Sequence, residues 1–560
     1  MTGRLNIYCK NTEEYIPVDG GETLLEIYER IKDKIALKPI CAHVNNKTED
    51  LHFPVYKPNM VEFLDLNSPS GMRVYVRSLC MVLYKAVLDV CPAMKLRMRH
   101  SISNGYYAQI VDNEGKEFIP SEAVVTQIKQ QMHNIVDADI PFLRRQKLTR
   151  DVREIFVQAG LDDKVELLDT SDEIYSVYYT LGDTPDSYYG NLAPSSGSLQ
   201  VFDLVKYHNG MLLLGPDPKQ PGKAKRCIMQ DKMLMAFDDY LQFNEVVGIT
   251  NVADLNRAVV DGNTSMLINV AEALHDAKFA HIADDIATRY KQGNARIVLI
   301  AGPSSSGKTT SSRRLAIQLM INRIIPKVIS LDNYFVDREA TPVDENGEYD
   351  YESLYALDLD LFNNDLRRLI AGEEVEMPTY DFASGRRVFK GDKMRLGNNN
   401  VLLIEGIHGL NPELTAQIPE EQKFRLYVSA LTTLTIDDHN WVPTTDNRLL
   451  RRIIRDHKYR GTDALKTIAR WPSVRRGEEK WIFPFQENAD ATFNSSLLFE
   501  LGVMKDYAVP LLRKVPRNTP EFAEAVRLLT FLGYFLPISE SQIPSTSLLR
   551  EFLGGSSFHY

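Results

Sequence analysis

Residues 301–310 read "AGPSSSGKTT" and stand between the apolar run "RIVLI" (296–300) and "SSRRLAIQLM" (311–320), whose spacing is that of an amphipathic helix. Gly302, Gly307, Lys308 and Thr309 satisfy G-x-x-x-x-G-K-[ST] in the context that motif requires, a strand before and a helix after. The glycines let the backbone curve so that successive N–H groups face phosphate oxygens, and the helix adds the positive end of its dipole. The expected phosphate-holding set is Gly302, Ser304, Ser305, Ser306, Gly307, Lys308, Thr309 and Thr310. Lys308 neutralises the β and γ phosphates of ATP, which makes it catalytic as well as binding, and the Thr309 hydroxyl ligates Mg²⁺. The loop alone does not separate a hydrolase that spends phosphate energy on motion from an enzyme that hands the phosphate to an acceptor.

Outward from the loop, strand-like runs alternate with helical ones from 294 to about 515. The strands are "RIVLIA", "KVISL", "NVLLIE", "FRLYVS" and "DATFNSSL". Such alternation predicts an α/β fold, a parallel sheet covered by helices on both faces, with ligands at the carboxyl ends of the strands. Asp332, in "VISLDNYFVDRE", follows the second strand, where a carboxylate can draw the proton from an attacking hydroxyl; a turn-capping Asp is the competing reading. Glu405 ends the strand in "NVLLIEGIHGL", a place for an acid that serves Mg²⁺, and Gly406 allows close backbone approach. In "DNRLLRRIIRDHKYRG" one helix face carries Leu449, Leu450, Ile453 and Ile454, and the other Arg448, Arg451, Arg452 and Arg455. A guanidinium stripe suits a transferring phosphoryl group, although spacing alone admits a solvated face or an RNA contact equally.

Taken in order, "GPSSSGKTT", "SLDNYF", "MPTYDF", "LLIEGIHGL", "RRIIRD…RG" and "ADATFNSSL" resemble the phosphoribulokinase and uridine kinase family. The resemblance implies Asp332 as general base, Glu405 as a metal-associated acid, and Arg455 and Arg460 as lid arginines on the ATP phosphates. It also implies an acceptor side formed by Tyr334, Glu352, Tyr380, Asp381 and Arg452, with Tyr380 near a nucleobase and Glu352 on ribose hydroxyls. Two positions depart from the uridine kinase pattern: Gly385 replaces a base-reading His, and Thr462 replaces an Arg. A nucleoside is the first expectation for the acceptor, and another polyol or a deoxynucleoside the second.

The N-terminal text resembles the amino-terminal part of threonyl-tRNA synthetases, a ubiquitin-like TGS domain followed by an editing-type domain, through "VEFLDLNSPSGMRVYVRSLCMVLYKAVLDVCPAMKL" and "APSSGSLQVFDLVKY". Where that family places two His, a Cys and a further His, this chain has Arg77, Met81, Tyr188 and Leu192. Without those groups the pocket has neither metal ligands nor a base, and no editing activity is expected.

The expected units are a small α+β ubiquitin-like domain at 1–66, an α+β editing-like domain at 67–225 ending in the turn-rich "GPDPKQPGKAK", a helical connector at 226–293, the P-loop kinase at 294–515, and a helical tail at 516–560. His275 and His281 fall in the connector and read as packed or capped.

With 560 residues the chain is too long for one core. A net charge of −10 disfavours general affinity for nucleic acid, so a tRNA-binding regulator with a nucleotide switch is the less favoured reading. Five scattered cysteines without a CxxC pair suggest no disulfide framework. With no long apolar run, the expectation is a cytoplasmic protein without membrane association, able to form homo-oligomers.

Overall fold

The structure, a computed structural model, describes residues 4–344, 347–381 and 384–559; Phe382 of the "MPTYDF" motif lies outside them. Five strands form the sheet that carries the phosphate loop: β1 (Ile297–Ala301), β2 (Ile325–Ser330), β3 (Asn400–Glu405), β4 (Lys423–Ser429) and β5 (Ala491–Asn494). They pair in the order β2-β3-β1-β4-β5, every pair parallel. The chain leaves β1 for one edge and crosses to the other at β4, so the strand order reverses beside the carboxyl end of β1, where a crevice opens in such sheets.

All five residues of β1 are buried, as they must be when helices cover both faces. Alternation divides them between two layers. Val298 and Ile300 pack with Leu315 and Leu319 of α1 (Lys308–Ile321), and Ile297 and Leu299 pack with Phe362 and Leu366 of α2 (Leu359–Ile370). Each such fully buried side chain contributes on the order of 1.5–3 kcal/mol of transfer free energy.

Two expected boundaries shift. The helix Thr264–Lys291, read as connector, lays Phe279, Ile282 and Ile286 into the same layer as Val298 and Leu315, and so covers one face of the kinase sheet. His275 is buried there with its ring 5.0 Å from Phe493, whereas His281 is exposed near Asp285. Gly293 adopts φ +83° just after the helix ends. The tail does not lose structure past its helix, Phe522–Gly533: Leu549, Phe552 and Leu553 are buried with Leu450 and Ile453 of α3 (Thr444–Arg460). The periodicity of a segment does not say which surface it covers, so the kinase unit is completed by residues on both sides of the expected 294–515.

The N-terminal unit is a five-stranded sheet in the order Glu14–Asp19, Arg4–Cys9, Met60–Leu64, Cys41–Val44, Lys47–Glu49. Its helix, Leu24–Ile31, starts at a capping box between Thr23 and Glu26. The second unit packs the 22-residue helix Pro69–Val90 against the helix Glu122–Asp137 and antiparallel strands. Among the described residues no helix is long and apolar enough to cross a membrane.

Candidate active site

Between β1 and α1 the chain makes a turn that only small residues permit. A Cβ at Gly302 would lie 1.9 Å from the Val428 carbonyl oxygen of β4, and Gly307 takes φ +83°. Ser305 adopts φ +58° without the freedom of glycine. Its Oγ and that of Ser306 are buried without a hydrogen-bond partner among the described residues. A concave loop at a helix N-terminus fits a phosphate chain.

The loop opens on a cavity of about 410 Å³ at the carboxyl ends of the strands. Of the expected residues, Ser304, Ser305, Gly307, Lys308, Thr309, Asp332, Glu352, Tyr380, Glu405, Arg452, Arg455 and Arg460 line it. Lys308 donates from Nζ to the Pro303 carbonyl at 3.1 Å. Desolvation holds its ammonium below the ordinary value, against the pull of Glu405 and Asp332. Asp332 sits in the turn Leu331–Tyr334 that follows β2. It faces the open cavity, and the surrounding protein strips away enough water to raise its carboxyl, against Lys308, Arg460 and Arg455. Glu405, at the end of β3, is pushed up to about 7 by burial and by the nearby Asp332. Gly406 beside it meets Leu331 so closely that a Cβ would come within 2.6 Å. Glu352 is likewise raised to about 7, by burial and by repulsion from Glu478.

Among the described residues no cluster of three or more His, Cys, Asp or Glu is arranged to hold a metal unaided. Magnesium at phosphate-transfer sites takes one or two protein ligands and completes its shell with phosphate and water oxygens, so the pairing of Thr309 with Glu405 fits it.

Several expectations are corrected. Tyr334 does not face the cavity; it is 1% exposed and donates from its hydroxyl to Asp365 Oδ2 at 3.2 Å, within the layer beneath the sheet. Asp381 lies off the cavity at the end of the strand Val375–Asp381, exposed and accepting from Ser384 Oγ at 2.7 Å. Thr310 is fully buried, and both its backbone N–H and its Oγ1 donate to Glu551 Oε2, at 3.2 and 2.6 Å. Gly302 and Ser306 shape the loop from beneath, and neither lines the cavity.

The arginine stripe divides. Arg448 and Arg451 are 1% and 0% exposed and brace the loop: Arg448 donates to the Ser304 carbonyl at 2.9 Å and pairs with Glu478, and Arg451 pairs with Glu500 at 2.6 Å. Their charges are spent inside the protein. Arg452 and Arg455 reach the cavity, Arg452 donating to Ser304 Oγ at 2.8 Å. The Asp456 carboxylate lies 3.3 Å from Arg452, 2.8 Å from Arg455 and 3.5 Å from Arg460, and so gathers the three guanidinium groups.

Sequence reasoning missed five participants: Asp456, Glu478, Arg338, Arg470 and Glu551. Glu478 accepts from the Ser304 backbone N–H at 3.0 Å. Arg338 lies over Gly385, where a Cβ would come within 2.7 Å of its Nε, so the position expected to lack a base-reading side chain is filled from elsewhere in the chain. The glycine itself, at φ +71°, is the local signal of that close approach. Glu551 comes from the C-terminal tail with no local signal, and its carboxylate occupies donors at the N-terminus of α1 that suit a phosphate oxygen.

Of the four residues at the editing positions, Arg77 and Tyr188 line a separate cavity, and Met81 and Leu192 are wholly buried in the core of the second unit.

Comparison with known proteins follows this division. The N-terminal region is similar to threonine–tRNA ligases: that of Desulforamulus reducens is 31% identical over 186 residues, 33% of this chain and 29% of the ligase. The chain therefore spans under a third of the length of the ligases it matches. A possible uridine kinase from Bacillus stearothermophilus, among solved structures, overlays with a TM-score of 0.25 at 18% identity, over 36% of this chain and 89% of that one, too slight a likeness to carry an argument. The uridine kinase of Halobacterium salinarum is 30% identical over 193 residues, 34% of this chain and 76% of that protein. Residues 297–497 match the model of the Phosphoribulokinase / Uridine kinase family, and through this phosphate loop, its parallel sheet and the acids at the strand ends, the chain belongs to that family.

Proposed function

We propose that the protein is an ATP-dependent phosphotransferase that phosphorylates a hydroxyl of a small molecule, a nucleoside being the first candidate. The observation that carries this reading is that the phosphate loop and the Asp332 carboxylate open onto one cavity large enough for a sugar-sized guest. Asp332 accepts the proton of the acceptor hydroxyl as its oxygen bonds to phosphorus and the bond to the leaving diphosphate breaks. Its raised pKa makes it a stronger base than an ordinary aspartate. Lys308 and the guanidinium groups of Arg455 and Arg460 offset the charge on the transferring group. Thr309 and Glu405 would hold magnesium, which would neutralise part of the phosphate charge. Tyr380 and Glu352 face the acceptor.

A second reading concerns the acceptor. Arg470 adds a positive charge to the cavity, which admits a polyol carrying its own anionic group as the second candidate.

The test is transfer from γ-labelled ATP across a panel of nucleosides and of anionic and neutral polyols, with Asp332→Asn beside the parent. Full transfer by Asp332→Asn removes the base assignment. ATP turnover indifferent to every acceptor points to a hydrolase. Salt-sensitive tRNA binding without acceptor phosphorylation points to the regulator.

A further inference from the structure

Where the synthetase-like half meets the C-terminal helices lies a second cavity of about 750 Å³, larger than the one over the phosphate loop. Arg73 and Arg77 reach it from the helix Pro69–Val90, Tyr188, Tyr189 and Asn191 from the loop that follows the strand Thr184–Asp186, and Arg527 from the helix Phe522–Gly533. A fourth arginine on the cavity, Arg144, lies 3.9 Å from Asp50, and two of the first three guanidinium groups are neutralised. Arg73 pairs with Glu524 at 2.9 Å, and Arg527 forks onto Asp446 while also pairing with Glu524.

Arg77 is different. It is 8% exposed, and among the described residues no carboxylate pairs with it. Its Nη1 donates to the Asn191 carbonyl at 3.2 Å, and its guanidinium stands 5.2 Å from the centre of the Tyr189 ring. Burial and the like charges of Arg73 and Arg527 lower its pKa, with Tyr189 opposing. A buried cation held by a carbonyl and a ring face costs several kcal/mol relative to one with a counter-ion.

The backbone is shaped to keep it there. Gly190 takes φ +149°, and a Cβ on it would lie 2.4 Å from Arg77 Nη1, so any side chain at 190 displaces the guanidinium. Tyr179, Tyr188, Tyr189 and Tyr534 line the same cavity; the Tyr179 hydroxyl donates to Asp50 Oδ2 at 3.5 Å and Tyr188 stands beside Asp186, while burial raises the phenols of Tyr189 and Tyr534, which keeps them neutral and able to donate to an oxyanion. The volume lies within the range of sites that enclose a small organic molecule.

We propose that this cavity binds a small molecule with an oxyanion head group, a phosphate or a carboxylate, paired with Arg77, and a planar or sugar-sized body against the tyrosines. The inference stands apart from the identity of the kinase acceptor.

Calorimetric titration of the full chain tests it with three probes: uridine 5′-monophosphate, orotate as a planar carboxylate, and uridine as the uncharged control. In Arg77→Met at least one anion binds tenfold or more weakly than in the parent, Gly190→Ala weakens the same anion, and ATP binding is unchanged in both variants. Loss confined to the monophosphate identifies a phosphate ligand, and loss confined to orotate a carboxylate. If Arg77→Met loses ATP binding as well, Arg77→Lys, which keeps the charge and loses the fork, must weaken the same anion. The proposal is overturned if no anion distinguishes the variants from the parent, or if uridine shows the same difference as the anions.

Discussion

The cavity over the phosphate loop and the cavity between the two halves both carry buried guanidinium groups, and they differ in what answers those charges. Around the loop, Arg448 meets Glu478 and Arg451 meets Glu500, and the two arginines also donate to the carbonyls of Ser304 and Ser305. Between the halves, Arg77 meets a carbonyl and a tyrosine face, beside a cavity able to hold an anion. Arginines that are indistinguishable as residues thus take two roles, internal brace and open receptor, according to whether the fold brings a carboxylate within reach.

Four measurements sharpen or break that contrast. The largest effect belongs to the loop: Lys308→Ala is expected to reduce phosphoryl transfer by about 10³-fold or more while leaving thermal stability close to the parent's, because the lysine acts on phosphate charge. Comparable transfer rates in parent and variant would remove the loop from the chemistry.

Next comes the stability contrast itself. Arg448→Met leaves Glu478 buried with only part of its partners and is expected to cost about 3–5 kcal/mol in chemical denaturation, whereas Arg77→Met removes an unpaired buried charge and leaves the ligand-free protein as stable or more so. Equal losses in the two variants would erase the distinction between brace and receptor.

The third is a pH profile. Glu352 has a folded pKa of about 7, above its ordinary value of 4.5. Its neutral form is thus preferred in the folded state, so its contribution to stability is fully present below 4.5 and is lost as pH rises through 7. This carboxyl by itself favours the folded state at pH 5 over pH 8, and Glu352→Gln is expected to lower stability at pH 5 relative to pH 8, against the parent, by roughly 2 kcal/mol. An unchanged slope places the carboxyl in water.

The smallest effect is at the tail. Glu551→Ala removes a carboxylate from the N-terminus of α1, where it lines the cavity, and is expected to tighten ATP binding by about 3- to 10-fold, the scale of one ordinary hydrogen bond. Weaker binding would make Glu551 part of the nucleotide site.

Much of this was legible in local text. The five strands of the sheet, the turn at Gly302 and Gly307, and the strand-end positions of Asp332 and Glu405 follow from alternation, from backbone freedom and from the rule that ligands gather at the carboxyl ends of parallel strands. The arginine helix shows the limit. Its spacing correctly puts Leu449, Leu450, Ile453 and Ile454 inside, yet the same periodicity put Arg448 and Arg451 on a face open to phosphate, solvent or RNA, when both are as buried as the leucines. A helical period tells which residues share a face and is silent on what that face meets. Tyr334 failed for the same reason: its motif neighbours reach the cavity, and its own ring turns toward Asp365.

The sequence by itself determined the phosphate loop, the parallel sheet and the acids at its edge, because each depends on interactions within a few residues or on the period of a single element. Tertiary structure alone decided that Glu551 reaches Thr310 across 241 positions, that Arg338 fills the space over Gly385, and that Arg73 finds Glu524 451 positions away while Arg77 finds no acid among the described residues. Charge compensation in a low-dielectric interior depends on distance in space, and separation along the chain carries almost no information about that distance.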